Sequence, residues 1–219
     1  MKFEMGAWIT KPVITMWVIV AVIALFSYLA TRNLKEKPGV LQNLAEMAVS
    51  ALYGFFEGVL GKHNVKRYFP LLATFFIFIV VSNYSSLLPG AGSAFAVPTT
   101  SLSVTLGLAI IGFIVTQVEG VRHQGLGGYA KSFLQPMFLC FLMLPLNLIE
   151  QFVHPVSLAL RLYGNLYGEE LAAEQLGNLA GIGLPIVMHV LSLLFCLIQA
   201  MVFTMLLSIY ITEAIGEEE

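Results

Sequence analysis

No Asp, Glu, Lys or Arg occurs between residues 68 and 118, an uninterrupted run of 51 uncharged residues. A helix needs about 20 apolar residues to cross the ~30 Å hydrocarbon layer of a membrane, so this run is long enough for two crossings. Turn-forming residues divide it near the middle. They are Pro89, Gly90, Gly92 and Pro98. The run therefore predicts two membrane spans, at residues 68–88 and 99–118.

The composition of the whole chain agrees with a membrane protein. Of its 219 residues, 58% are hydrophobic and 11% are charged, whereas about a quarter of the residues in a soluble domain are charged. The net charge of −2 and the lack of a basic stripe exclude nucleic acid as a partner. Cys140 and Cys196 lie in apolar runs without metal-ligand spacing, so we expect no metal and no cofactor. We expect one membrane domain, residues 1–219.

Three further apolar segments complete the predicted fold. Residues 13–31 form a first span, and residues 132–175 and 184–212 form two long helices around a Gly- and Pro-rich turn. A helix over 132–174 would run ~65 Å, about twice the hydrocarbon thickness, so the last two helices must form a strongly tilted hairpin. The predicted fold is an all-α integral membrane protein with five crossings and one interfacial amphipathic helix.

The amphipathic helix is predicted at residues 40–60. Leu41, Leu44, Leu52 and Phe55 share one face of it, which suits a helix lying in the membrane surface or packing on a soluble part of a partner. Basic residues are concentrated in the two loops on one side of the five crossings. These are Arg32, Lys35, Lys37, Lys62, Lys66, Arg67, Arg122 and Lys131. The positive-inside rule makes that side cytoplasmic, with the N-terminus outside and the C-terminus inside.

Arg161 is the intramembrane base of the sequence. It lies in the apolar segment 155–171, where a lone guanidinium costs from ~3 to more than ~10 kcal/mol, so it must meet an anion or water. A structural salt bridge with Glu150 or Glu169 would also satisfy it. Glu119 and Glu213 stand at the ends of spans, where we expect them to be solvated.

Polar residues accompany Arg161 on one line of its predicted helix. They are Asn147, Glu150, His154 and Asn165, with the small residues Ser157, Gly164 and Gly168 beside them. Near the outer turn follow Glu169, Glu170 and Glu174, and the last helix carries His189, Ser192, Cys196 and Gln199 at spacings of three and four. This arrangement suggests two aqueous paths separated by a fixed positive charge. The histidines and amides also fit simple packing and interhelical hydrogen bonds.

The segment PVSLALRLYGNLYGEEL at residues 155–171 closely resembles the signature of subunit a of the F-type ATP synthase, the ATPase A chain family. The resemblance extends to LPLNLIEQFVHP before it and to SNYSSLLP, PTTSLSVTLGLA and LIQAMVFTML elsewhere, and it covers most of residues 68–212. It implies a stationary proton-channel subunit of the membrane Fo sector. Arg161 matches the essential arginine of the family, which faces carboxylates on a rotating ring.

The resemblance also implies the partners and the surrounding site. The partners are the ring of c subunits, the b subunits of the peripheral stalk and, indirectly, the F1 catalytic sector. Asn165, Glu170 and Gln199 match positions along the proton path, Glu150 resembles an acid found in some branches, and Ser192 replaces a histidine of some relatives, for which His189 could compensate. We expect a bacterial plasma membrane and no nucleotide site in this chain, which has no GxxxxGK[ST] motif.

Three alternative functions remain at this level. The coupling ion could be Na⁺ instead of H⁺, since ligands on the ring decide that choice. A secondary transporter would be expected to contain two related halves, and no such internal repeat is visible. A structural membrane scaffold would use Arg161 only in a permanent ion pair.

Overall fold

The computed structural model describes residues 11–32, 39–87, 96–132, 140–180 and 183–216. Within these ranges the chain is helical and has no β-strand, which confirms the predicted all-α membrane class. The long helices are α1 (Lys11–Thr31), α2 (Val40–Tyr84), α3 (Leu102–Ser132), α4 (Cys140–Ala180) and α5 (Gly183–Ile215). Short 3₁₀ turns at Ser85–Leu87 and Pro98–Thr100 stand at the two ends of the α2–α3 connection.

Two glycines break α2 and α3 with nearly the same backbone geometry. Gly61 has φ 75° and ψ 163°, and Gly125 has φ 70° and ψ 160°. This conformation is essentially restricted to glycine, because a Cβ atom would clash with the backbone. Helix α2 therefore consists of an arm at 40–60, which coincides with the predicted amphipathic helix, and an arm at 62–84. Its position in the membrane surface stays a prediction.

Replacing Gly61 by Ala should lower the free energy of unfolding by about 1–3 kcal/mol, because alanine is strained at this positive φ. Thermal denaturation of the detergent-solubilised protein, followed by circular dichroism, measures the change. Gly54→Ala is the matched control: Gly54 is helical, and a Cβ there meets nothing within 4 Å. That control should be neutral or stabilising. Equal effects of the two substitutions would contradict the assigned break.

Helix α5 lies at the centre of the fold and packs against α2, α3 and α4. Phe203 stacks on Phe75 of α2 with ring centroids 6.2 Å apart. On the α3 side, a Cβ built on Gly112 would stand 3.0 Å from the Leu207 side chain, so the glycine allows close helix approach. Helix α1 packs at the edge of the bundle and is mostly exposed; Trp17, for example, is 67% exposed. Such an apolar outer surface fits contact with lipid.

Four stretches of the described helices are long and apolar enough to cross a membrane. They are Pro12–Leu29, Gln42–Leu87, Leu102–Gly125 and Val190–Ile215. The fifth expected crossing is α4, which carries more charged residues and stays a prediction. Helix α4 has 41 residues and α5 has 33, so they extend ~62 and ~50 Å. Both lengths exceed ~30 Å of hydrocarbon, so crossing requires tilt.

Within the described residues, three ends of the hairpin helices lie one to five residues from those expected at 132–175 and 184–212, and the expected start at 132 stays a prediction. Helix α4 begins at Cys140, after residues 133–139, which lie outside the described part, and it continues to Ala180. Gly177 is thus helical instead of belonging to the turn. Helix α5 begins at Gly183 and includes Pro185, which is tolerated because first-turn amides have no partner within the helix. It ends three residues later than expected, at Ile215.

Candidate functional site

Helices α4 and α5 pack antiparallel, and two side-chain contacts, a ring stack and a hydrogen bond, fix their register. The imidazole of His154 stacks on the Tyr210 ring with centroids 4.1 Å apart and planes at 7°. Eleven residues further along α4 and eleven back along α5, Asn165 Nδ2 donates a 2.6 Å hydrogen bond to Gln199 Oε1. Eleven helical residues correspond to ~16 Å, so the two contacts lie at different depths.

A cavity of about 220 Å³ lies at the first of these contacts, between α3, α4 and α5, and we name it the His154 cavity. Its polar lining comes from Thr116, Gln124, Asn147, Glu150, Gln151, His154, Tyr210 and Glu213. Within it, His154 Nε2 lies 3.7 Å from Glu150 Oε1, and the lining residue Gln151 accepts a hydrogen bond at Oε1 from Gln117 Nε2 of α3. This volume and lining can hold several waters.

A second cavity, of about 300 Å³, lies between α4 and α5 at the other contact, and we name it the Asn165 cavity. Its polar lining consists of Asn165, Glu169, Ser192, Cys196 and Gln199. Gln199 is 6% exposed, and its Nε2 has no hydrogen-bond partner among the described residues. A buried amide donor of this kind is normally satisfied by ordered water, so the cavity is suited to water.

Arg161 lies between the two contacts along α4, seven residues after His154 and four before Asn165. Its side chain is exposed and lines an outward-facing groove of α4. The groove is otherwise mostly apolar: Ile149, Phe152, Val153, Val156, Ser157 and Leu160 form it with Arg161. Among the ion pairs of the described residues, none within 4.0 Å involves Arg161, so neither Glu150 nor Glu169 forms a salt bridge with it.

The small residues predicted beside Arg161 also lie on exposed parts of α4. Ser157 lines the same groove, and a Cβ built on Gly164 or Gly168 meets nothing within 4 Å. The outward face of α4 is therefore open to close approach by another helix at the level of the guanidinium.

The four remaining site residues from the sequence are distributed unevenly. Glu169 lines the Asn165 cavity, whereas Glu170 is exposed and lines neither cavity. The backbones of Glu174 and His189 are helical, but their side chains lie outside the described part of the structure. Across the described residues, no cluster of three or more His, Cys, Asp or Glu side chains is placed to hold a metal ion.

Several residues in or near the cavities were not assigned to the site from the sequence. Tyr210 and Glu213 complete the His154 cavity from α5, and Tyr210 carries only a single hydroxyl in an apolar run. Asn83 is fully buried and donates from Nδ2 to the Cys196 carbonyl oxygen at 3.3 Å, while its Oδ1 has no partner within the described part. The sequence feature that could have identified Asn83 is its polar amide side chain inside the 51-residue uncharged run.

Glu119 differs from its expected solvated position. It is 8% exposed and accepts a 2.9 Å hydrogen bond from the Tyr68 hydroxyl. It also pairs with Arg67 Nη2 at 2.7 Å and with Arg122 Nη1 at 3.3 Å. The expectation was wrong because Arg67 and Tyr68 come from α2, about fifty residues away in sequence, and compensate the burial of the carboxylate.

Comparison with known proteins agrees with the resemblance seen in the sequence. The family model of the ATP synthase A chain matches residues 13–212. The chain belongs to this family. A protein named ATP synthase subunit a from Moorella thermoacetica is 41% identical over 203 residues, which cover 93% of this chain and 89% of the relative. Relatives from Bradyrhizobium sp. and Pelobacter propionicus are 38% and 40% identical and cover 95% and 92% of this chain, and 90% and 86% of their own lengths.

Membership of the ATP synthase A chain family gives the chain its general role. It is a membrane component of an ATP synthase complex and takes part in ATP synthesis and ion transport. The relatives match over most of their own length, so the likeness concerns whole subunits and not one segment.

Proposed function

We propose that this chain is the stationary proton-channel subunit of the Fo sector and that Arg161 faces the carboxylates of a rotating ring of c subunits. The observation that carries this proposal is the exposed guanidinium in an apolar outward groove, with no carboxylate of the described chain within 4.0 Å. An intramembrane arginine needs a counter-charge or water. A carboxylate on a neighbouring subunit supplies that charge and can leave again.

The two cavities support two half-paths at different depths. The His154 cavity is lined by groups that can exchange protons, with Glu150, His154 and Glu213 around it. The Asn165 cavity presents Glu169, Ser192 and Gln199 about 16 Å further along the hairpin. Arg161 lies between them, so a proton passing from one cavity to the other would have to pass a fixed positive charge. Transfer through a ring carboxylate avoids that barrier.

The orientation follows from the basic residues at the loop ends. We place the His154 cavity toward the cytoplasm and the Asn165 cavity toward the outside, with the N-terminus outside and the C-terminus inside. The bacterial relatives support a bacterial plasma membrane. In this arrangement the b subunits of the peripheral stalk hold the chain against the turning ring, and ATP is made on the F1 catalytic sector. Each charge crossing the membrane releases ~2.3 kcal/mol per 100 mV, so several protons are needed for each ATP.

Cysteine cross-linking tests whether α4 faces the ring. In a complex whose Cys140 and Cys196 are replaced by Ala, Gly164→Cys should form a disulfide with a cysteine placed beside the ring carboxylate after mild oxidation. Gly164 suits this test because an added Cβ meets nothing within 4 Å. Val22→Cys on the exposed α1 is the control and should give no adduct with the ring subunit. Equally weak adducts at both positions would count against the proposal.

A further inference from the structure

A cluster of charged groups joins α2 and α3 near the Gly61 and Gly125 breaks and plays no part in the proposed proton path. Glu119 lies at its centre and is nearly buried, with 11% of its side chain exposed. Arg67 Nη2 pairs with Glu119 Oε2 and Arg122 Nη1 with Glu119 Oε1, so the two guanidinium groups stand on either side of one carboxylate. His123 Nε2 accepts from Arg67 Nη1 at 3.1 Å. We name these residues the Glu119 cluster.

The Glu119 cluster keeps an excess of positive charge that faces outward. Two arginines share one carboxylate, which leaves one net positive charge before His123 is counted. The Arg67 and Arg122 side chains are 48% and 66% exposed. Each guanidinium has five N–H donors, and the single 3.3 Å contact of Arg122 leaves most of its donors available. Lys62 and Lys66 are exposed on the same arm of α2 and add to the positive field.

The depth of the cluster matches the headgroup layer of the membrane. Residues 68–87 follow Arg67 without a charge and extend ~30 Å as helix, which is the hydrocarbon thickness. The Tyr68 ring lies beneath the Arg67 guanidinium, 5.6 Å from its centroid, as in the aromatic belts at membrane interfaces. The two guanidinium groups therefore lie at one edge of the hydrocarbon.

An apolar track leads from the hydrocarbon to Arg122 along α3. Ile111, Ile114 and Val118 are 52%, 53% and 48% exposed and recur at helical spacing in line with Arg122. The track from Ile111 to Arg122 is ~16 Å long, which is comparable to the length of a lipid acyl chain. Arg122 then stands where the headgroup of that lipid would lie. The same molecule could thus contact the track with its tail and the cluster with its head.

We propose that the Glu119 cluster and this track bind an anionic phospholipid, with the lipid phosphate on the Arg67 and Arg122 guanidinium groups. The Glu119 carboxylate positions the two guanidinium groups so that both can contact the phosphate. The negative phosphate in turn compensates their excess positive charge. The paired N–H donors of a guanidinium group are spaced to bind two phosphate oxygens. Basic clusters at the cytoplasmic end of membrane helices attract anionic lipids. The apolar track favours a lipid over free phosphate or an acidic peptide, because neither of those has an acyl chain to cover it.

The test uses the intact complex in phosphatidylcholine vesicles that contain a small fraction of phosphatidylglycerol with a photoreactive acyl chain. After irradiation, peptide mass spectrometry should find adducts in residues 102–124, and a phosphatidylcholine probe should give far fewer. Arg122→Gln should reduce the adducts about tenfold, since a charge-assisted hydrogen bond to phosphate is lost. The change leaves the 2.7 Å Arg67–Glu119 pair in place, so the fold is retained. Arg122→Lys should reduce them less.

Arg32→Gln is the matched control. Arg32 is an exposed arginine at the end of α1 that lies over the Tyr28 ring, and its replacement should leave the adducts in 102–124 unchanged. Equal labelling by the two lipid probes, or an unchanged yield in Arg122→Gln, would overturn the proposal. So would loss of the adducts in excess inorganic phosphate, which would assign the site to a free anion, or recovery of the adducts on another subunit instead of residues 102–124, which would assign the surface to a protein contact. None of these readouts depends on proton transport.

Discussion

Replacing Arg161 by Ala should abolish ATP-driven proton pumping while the complex still assembles. In the proposed mechanism, a ring carboxylate that passes the groove without the guanidinium would stay protonated or would have to ionise in hydrocarbon without a counter-charge. An uncompensated charge there costs at least ~3 kcal/mol, which corresponds to a decrease in rate of about 100-fold or more. Assembly should be unaffected, because Arg161 forms no ion pair within 4.0 Å among the described residues.

Pumping is measured by the quenching of a pH-sensitive dye in inverted membrane vesicles, and assembly by the amount of complex in those membranes. Leu160→Ala is the matched control: Leu160 is 51% exposed in the same groove and carries no charge. Leu160→Ala should retain most of the pumping activity. Arg161→Lys keeps the positive charge but not the planar guanidinium group, so its pumping activity should lie between those of Arg161→Ala and Leu160→Ala. A complex that disappears from the membrane in Arg161→Ala would instead support the scaffold function.

Single cysteines in the two cavities should be blocked from opposite sides of the membrane. With Cys140 and Cys196 replaced by Ala, Glu213→Cys lies in the His154 cavity and Ser192→Cys in the Asn165 cavity. A charged, membrane-impermeant thiol reagent should reduce pumping by more than half from the cytoplasmic side for Glu213→Cys. The same reagent should act only from the outer side for Ser192→Cys, because a proton path that reaches one surface carries water and reagent from that surface.

Vesicles of both orientations give the two measurements on the same variant. Ile114→Cys is the control, because Ile114 is 53% exposed on the apolar face of α3 and lines neither cavity. It should be insensitive from both sides. A reagent that blocks both cavity cysteines from one side would indicate one continuous channel and would contradict two half-paths.

The sequence predicted those features that depend on a single helix. Arg161 stood out because a base in an apolar segment is costly whatever its neighbours are. The hairpin followed from helix length against membrane thickness, and the helical spacing of Ser192, Cys196 and Gln199 predicted a face that the structure finds buried. These arguments need no knowledge of which helices meet.

The features that were missed depend on contacts between helices. Glu119 was expected in solvent because its partners Arg67 and Tyr68 lie on α2, and no local pattern gives that pairing. The stack of His154 on Tyr210 likewise requires the α4–α5 register. Periodicity gives the face of a helix but not the level at which that face meets its neighbour, so the residues that complete the cavities could not be assigned from sequence.

The central place of α5 has a mechanical consequence. Helix α4 presents its outward groove on one side and packs against α3 and α5 on the other. Helices α2 and α3 in turn pack around α5, with Phe75 stacked on Phe203 and Gly112 closely approaching Leu207. Closely packed interiors have low compressibility and transmit strain. A sideways load on α4 is therefore passed directly to α3 and through α5 to α2, so α4 can resist the drag that the proposed rotating ring would exert on it.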